Sequence, residues 1–478
     1  MHCQQTGFYQ MSSKPAMNWV HFLKLPPTVY LFIFIGIAVR LYYLAQPMRY
    51  DESYTFMEYV ASGLSGLLVY EMPNNHVFHS ILVYASTSLF GDSPAAIRIP
   101  AFVAGVMCIP LVYCVCVSML RPGYGYVAAA IMAIHPYTVL YSTNARGYSI
   151  IMYIFLIMIL CANEYIRHPS RRLCIDIGLM GSIGMLTIPV MLFPLVGLYI
   201  WVIISLIAGT QISTRDIRQF LLWGVGTTAI GTIILYVPVI MMTGSVEAIV
   251  DNSFVTALDN ERFLNSIVPH LNSVIIEYTF GAPILFTVVI WILCLVGLGF
   301  AIIRREHVLT SFVVALITGG IVVVVAKRHV PFARVWIYMV PVACMLADYG
   351  YMVSVEKCRK SLKRIWYAVC VVYVVVFVFA LTASNVIVEY PSGASCIEAE
   401  YIVRYLKESV GSRLAFDARC PVDAMVAYYA RKYGVHYDES VSPQRYYIVA
   451  DGFYRISDMT PGNVKMIARI GKAAIYRQ

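Results

Sequence analysis

Two adjacent carboxylates, Asp51 and Glu52, stand in RYDESYTF (49–56), just past the first long apolar run. A carboxylate partly shielded from water at such a place has its pKa raised toward values useful for proton transfer, so this pair suits a general base. The local reading is that Asp51 caps the helix beginning ESYTFMEYVASG and that Glu52 favours its N-terminal dipole. The two readings are compatible, since a cap also fixes a carboxylate's direction. Cations stand at the mouths of later apolar runs. Arg146, beside Asn144 and between Tyr141 and Tyr148, suits either an interface anchor or a phosphate ligand. Lys327, Arg328, His329 and Arg334 surround Pro331 and point to an anion. Arg334 already lies inside an apolar run, where a charge faces a cavity or a polar partner.

Other polar groups admit plainer readings. In EMPNNHVFHS (71–80), Asn75 and His76 can face a substrate. His76 and His79, one turn apart, resemble half a metal site without a third ligand in sequence. Glu277 in VIIEYTFGAP is either a solvated loop residue or a second acidic group of the site. Of the twelve cysteines, Cys108, Cys114, Cys116, Cys161 and Cys294 read as small core residues, and no CxxC pair is present. Cys396 and Cys420 are either a disulfide or two free thiols.

The elements that position these residues follow from hydropathy. The chain is 60% hydrophobic and 13% charged, against about 25% charged in soluble domains. Apolar runs near 28–46, 97–120, 124–140, 148–165, 173–190, 192–210, 219–241, 283–303, 308–326, 332–350 and 365–385 predict eleven membrane spans. The first has no small-residue cleavage site after it and reads as a retained helix. HVFHSILVYASTSLFG (76–91) is short. If it lies along the membrane surface, fifteen lysines and arginines fall on one side and eight on the other; if it crosses, thirteen of the fifteen change sides. The positive-inside bias therefore predicts a cytoplasmic N-terminus and an extracytoplasmic C-terminus. RYDESYTF, YSTNARGY (141–148), the loop 242–282 and KRHVPFARV (327–335) then all lie outside. The net charge of +9 resides in short clumps between apolar runs and marks topology, with no nucleic-acid partner.

The composition changes after residue 385. IEAEYIVRYLKESVG and PVDAMVAYYARKYG read as helices, and RLAFDA, RYYIVADGF and NVKMIARIGKAAIYRQ as strands. The predicted organisation is a cytoplasmic tail (1–27), a membrane domain (28–385) with interfacial helices near 51–91, and a small extracytoplasmic α/β domain (386–478). Carboxylates and cations gathered at one membrane face suit a reaction on a phosphorylated lipid. A phosphate leaving group needs cations for its growing charge, and an acceptor hydroxyl needs a base. A transporter more often places its charges near the midplane on broken helices.

The acidic pair after span one, the Asn/His-led short helix, FGDSPAAIRIPAFVAGV, HPYTVLYSTNARGYSIIMYIF and the late RVWIYMVP together resemble the GT-C membrane glycosyltransferases. The similar branch holds the protein O-mannosyltransferases and bacterial lipid A aminoarabinose transferases, glycosyltransferase family 39-like. The resemblance runs mainly over 35–165 and thins toward the tail. It implies an α-helical polytopic GT-C fold in the bacterial inner (plasma) membrane. It also implies a polyprenyl-phosphate sugar donor, and inverting transfer to a hydroxyl of an acceptor glycan, lipid or protein on the extracytoplasmic face. It places the catalytic acid on Asp51, with Glu52 supporting, and the donor phosphate on Arg146 and Arg334; Lys327 or Arg328 joins these cations on the reading of the residues themselves. Asn75, His76, Tyr141, Tyr148 and Glu277 complete the expected substrate contacts. Two departures bear on the pocket: NHV at 75–77 stands where many relatives have HPP, and Val335 follows Arg334 where tyrosine is usual. No cofactor is required by these residues, and a divalent cation stays open. The alternatives are an oligosaccharide ligase with a lipid-diphosphate donor, a lipid or sugar transporter, and a catalytically silent binding subunit.

Overall fold

The structure, a computed structural model, describes residues 24–209, 214–250, 256–279, 281–356, 377–379, 381–382, 387–388, 396–419, 422–437, 445–450, 455–460 and 462–478. Helix α1 (Pro27–Leu44) starts on a proline, whose missing N–H is an orphan there in any case. Three short helices follow: α2 (Tyr50–Thr55), continued by a π-helical turn over Phe56–Val60, α3 (Gly63–Leu67) and α4 (Val77–Phe90). Then come α5 (Pro94–Met119), α6 (Tyr126–Ile134), α7 (Pro136–Ser142), α8 (Tyr148–Arg167), α9 (Arg171–Thr187) and α10 (Leu192–Ala208). Helix α11 (Thr214–Gln219) passes through a π-helical turn into α12 (Gly226–Thr243). The membrane part closes with α13 (Glu247–Val250), α14 (Asn260–Thr279), α15 (Ile284–Ile303), α16 (His307–Lys327), a 3-10 turn over Ala333–Tyr338, and α17 (Met339–Glu356).

Among the described residues, eight helical segments are long and apolar enough to cross a membrane. The protein is an α-helical polytopic integral membrane protein. Of the other three expected spans, 173–190 is α9, at 17 residues, and 365–385 lies largely outside the described residues, as do residues 1–23 of the tail. The stretch 124–140 is not one helix. Pro136 disfavours a helical backbone at the residue before it, and His135 takes φ −58°, ψ 128°, so α6 stops and α7 restarts. The freed carbonyls are met by Arg40 of α1, whose Nη1 donates to Ala133 O at 2.6 Å and Nη2 to Met132 O at 3.0 Å. Thr138 Oγ1 also donates to Met132 O at 2.9 Å, but hydrocarbon offers no donor to Ala133 O, which explains a fully buried arginine in a spanning helix. At the far end of α6, Asp348 of α17 accepts from the N–H groups of Gly125 (2.7 Å) and Val127 (2.9 Å). Elsewhere small residues set the spacing: α10 and α16 meet backbone to backbone at Gly197 and Gly319, where a Cβ would collide with the opposing main chain.

The segment 76–91 is the short helix α4, whose 14 residues fall below spanning length. The small α/β unit expected in the tail is present. Helix α18 (Ala399–Ser409), β1 (Arg413–Ala418), α19 (Asp423–Tyr433), β2 (His436–Tyr437), β3 (Arg445–Ala450), β4 (Lys465–Ile470) and β5 (Ala473–Arg477) build a sheet of order β2-β1-β3-β5-β4. Strands β2, β1 and β3 are parallel, and β5 pairs antiparallel with β3 and β4. Helix α19 is the crossover between β1 and β2, and its apolar face does not stop at the sheet. Met425, Tyr428 and Tyr429 share one core with Met48, Phe56, Val83 and Ile97 of the membrane part. Tyr428 Oη donates to Asp92 O at 2.7 Å, and Arg431 pairs with Asp92 at 3.4 Å. The disulfide considered for Cys396 involves Cys420, which lies outside the described residues.

Candidate active site

The loop after α1 and the helix α2 carry the acidic pair, and Arg98 of α5 holds them in place. Its guanidinium donates to the carbonyls of Leu44 (2.9 Å), Gln46 (2.6 Å) and Pro47 (2.9 Å), and to both oxygens of Glu52, at 2.7 and 2.6 Å. Glu52 Oε1 also accepts from Ala145 N–H (2.6 Å) and Oε2 from Arg49 N–H (3.0 Å). Two donors on each oxygen occupy the carboxylate's lone pairs. Burial alone raises the Glu52 pKa. The Arg98 charge and hydrogen bonds and the two N–H groups outweigh it, holding the carboxyl below its ordinary value. Glu52 is thus an ionised tie between three chain segments and has no proton to exchange near neutrality. Glu52 was expected to support or orient Asp51, and its bonds are those of a group held in place.

Asp51 points elsewhere. Its side chain keeps 18% exposure, and its Oδ2 lies 4.0 Å from Arg146 Nη2. Arg146, buried between α7 and α8, donates through Nη1 to Thr55 Oγ1 (3.1 Å) and Asn74 O (2.8 Å). Nη2 reaches Asn74 Oδ1 at 3.5 Å, and Nε, also buried, has no hydrogen-bond partner. Part of a fork-shaped donor set is therefore unspent beside Asp51. Tyr141 and Tyr148 meet edge to face at 4.9 Å next to it.

The expected substrate contacts divide. Asn75 is fully buried and turned inward: its Nδ2 donates to Leu67 O (3.0 Å) and Val69 O (2.6 Å), and its Oδ1 accepts from Ser80. It holds the start of α4, and its neighbour Asn74 faces Arg146 instead. His76 accepts from Gly147 N–H at 2.8 Å through Nδ1 and packs against Tyr148 at 5.4 Å, joining α4 to the start of α8. Burial, with Arg146, His79 and Arg334 nearby, sets its pKa well below the ordinary value, so it is neutral. Among the described residues, no three of His, Cys, Asp and Glu are grouped to hold a metal.

Arg334 enters from the 3-10 turn before α17. Tyr148, Tyr141, Asp51 and Glu277 all lie within electrostatic reach of it, and its guanidinium stacks on Phe332 at 4.6 Å. Glu277 of α14 accepts from Tyr137 Oη at 2.9 Å, so it faces the bundle. Lys327 and Arg328 stay exposed, and no hydrogen bond or ion pair joins either to Asp51 or Arg146. The end of α16 leaves Arg328 in a left-handed conformation (φ 46°), its carbonyl accepting from Leu258 N–H at 2.9 Å. Next to Arg334 opens an apolar groove of about 700 Å³ between α14, α15, α16 and α17, lined by Phe263, Tyr278, Trp291, Leu295, Ile321 and Trp336 among others. Tyr278 Oη donates to Trp336 O, and Trp336 Nε1 to His270 Nε2 at 2.8 Å, so α14 is pinned across the groove.

Arg98, Asn74 and Thr55 were not singled out as site residues from sequence. Arg98 stands in the quoted GDSPAAIRIPA, and an arginine one turn into a helix beside two prolines was the available signal.

A family model described as dolichyl-phosphate-mannose-protein mannosyltransferase matches residues 77–241. No curated protein sequence matches the chain. Among solved structures, ArnT from Cupriavidus metallidurans in the apo state superposes with TM-score 0.62 at 12% identity, covering 94% of this chain and 97% of that one. The same protein bound to undecaprenyl phosphate gives 0.60 at 13%, with the same coverage. The archaeal oligosaccharyltransferase AglB from Archaeoglobus fulgidus, in complex with an inhibitory peptide and a dolichol-phosphate, gives 0.53 at 11%, covering 84% of this chain and 63% of that one. At these identities the likeness shows a shared fold.

Proposed function

We propose that this chain, which has the GT-C fold, is a membrane glycosyltransferase that moves a sugar from a polyprenyl-phosphate donor to an acceptor hydroxyl on the extracytoplasmic face. The observation that carries the reading is the pairing of a part-exposed carboxylate, Asp51, with a buried and only partly spent arginine, Arg146, at 4.0 Å. A separate groove, with Trp336 of the turn that carries Arg334 in its wall, is apolar enough for a prenyl chain. Asp51 takes the proton of the acceptor hydroxyl as its oxygen attacks the anomeric carbon. The bond from that carbon to the phosphate oxygen breaks, and its electron pair leaves with the polyprenyl phosphate. Arg146 and Arg334 stabilise the charge that grows on the leaving phosphate. One displacement inverts the anomeric configuration. Glu52 and Arg98 hold Asp51 in direction, and Glu277, Tyr141 and Tyr148 shape the wall between the two arginines. Lys327 and Arg328, exposed at the end of α16, serve the approach of the anionic headgroup.

The test offers the full chain, in nanodiscs, undecaprenyl-phosphoryl hexoses, pentoses and amino sugars in parallel with a glycan-diphosphate lipid. Cell-envelope fractions supply acceptors, and free undecaprenyl phosphate is read as product. The expected result is release from a monosaccharide-phosphate lipid that disappears in Asp51→Asn while the unfolding temperature is kept. Turnover of the diphosphate lipid alone selects the ligase. Movement of lipid without cleavage selects a transporter. Full activity in Asp51→Asn removes Asp51 as the base.

A further inference from the structure

The loop that leads into α2 is tied at successive backbone groups. The carbonyls of Leu44, Gln46 and Pro47 accept from Arg98, and Arg49 N–H donates to Glu52. Between them, Met48 N–H donates to the phenol oxygen of Tyr429 at 3.0 Å. Tyr429 belongs to the C-terminal domain, 381 residues away, and is fully buried. Its neighbour Tyr428 meets it edge on at 5.0 Å and meets Phe56 at 5.7 Å. Helix α19 therefore grips the chain just before α2, at Met48, and just after it, at Phe56. Asp51 lies between the two grips.

We infer that Tyr429 is a positioning residue for Asp51, so that the C-terminal domain completes the catalytic turn. The inference rests on Asp51 being the base. Met48 is 1% exposed, so its N–H has no water to turn to when the phenol oxygen is removed. The turn must shift to find another acceptor, and the carboxylate three residues on shifts with it. Proton transfer in a displacement is sensitive to such shifts, because the reacting atoms must hold a near-attack geometry. Donor binding is less so, since Arg334 comes from the turn before α17 and Arg146, though it touches Thr55 of α2, keeps its bond to Asn74 O.

Tyr429→Phe keeps the ring and removes one oxygen. With the undecaprenyl-phosphoryl sugar that supports turnover, the full-length variant is expected to lose about tenfold in kcat, with the donor KM unchanged. Tyr433→Phe is the control: it lies on the same helix, but its hydroxyl is bonded within the domain to Glu400. It keeps the wild-type kcat. Amide exchange of the peptide spanning residues 45–52, which needs no turnover, is faster in Tyr429→Phe and unchanged in Tyr433→Phe. Equal kcat values and equal exchange in the two variants overturn the inference, as does a raised donor KM at unchanged kcat. Inactive Asp51→Asn beside a fully active Tyr429→Phe overturns this inference alone. An active Asp51→Asn overturns the base assignment beneath it.

Discussion

Glu52 gives every lone pair to a protein donor, whereas the side chain of Asp51, one residue earlier, pairs with Arg146 at 4.0 Å and lies within electrostatic reach of Arg334. Successive helical residues point about a quarter-turn apart or more, and that turn separates a structural carboxylate from the one proposed as the base. Adjacency was legible in the sequence; the division was not, because it depends on Arg98, 46 positions away. Asn74 and Asn75 repeat the lesson. Sequence marks an asparagine pair before a helix, and only the packing of α3 shows which of the two is spent on carbonyls. Buried titratable groups here also set a pH response. His79 of α4 is fully enclosed, and burial, followed by Arg146, pushes its pKa down to about 3 from an ordinary 6.5. The unfolded chain therefore takes up a proton below 6.5 that the folded chain refuses until about 3, so stability is whole above that window and falls as the pH drops through it. Glu52, with a lowered pKa, adds a further loss below the ordinary carboxyl value of 4.5. The unfolding temperature of the detergent-solubilised protein should decline as the pH falls from 6.5 to 4.5, and His79→Leu should flatten that decline. Parallel curves for the two proteins would contradict the assignment.

At the level of elements, hydropathy located the helices well, since 18 or more apolar residues have few other solutions. It overran the break at His135–Pro136, because a hydropathy window averages over one proline. The dipeptide was visible, but what makes a break tolerable inside a membrane is a donor from elsewhere, and Arg40 supplies it. In Arg40→Met the volume is roughly kept and the carbonyl of Ala133 is orphaned, while that of Met132 keeps Thr138 Oγ1. The orphan costs about 1–3 kcal/mol, so a clear drop in the unfolding temperature is expected, read by a thiol-reactive or tryptophan probe in detergent. A variant as stable as the parent would mean that the broken helix finds other donors. The tail's strands other than the two-residue β2 were legible in the sequence. Their order was not, because β1 lies between β2 and β3, and only tertiary pairing shows on which side each adds.

For the whole molecule, the site end of the bundle packs the turns after α1 and α7 into one core with the C-terminal domain, while the opposite end gathers exposed ion pairs such as Arg304–Glu356 at 2.9 Å and Arg121–Glu306 at 3.5 Å. Charge counting assigns the first end to the extracytoplasmic side. In intact cells a membrane-impermeant maleimide should therefore label Ser409→Cys and spare Pro169→Cys until the cells are permeabilised; the reverse pattern would invert the topology. The link from Met48 to Tyr429 also has a consequence for biosynthesis. The membrane part is made first, so the turn that carries Asp51 lacks one of its ties until the C-terminal helix that holds Tyr429 has been made and folded. Under the function proposed above, a chain that has not yet made this helix is a poor catalyst without any dedicated inhibitor.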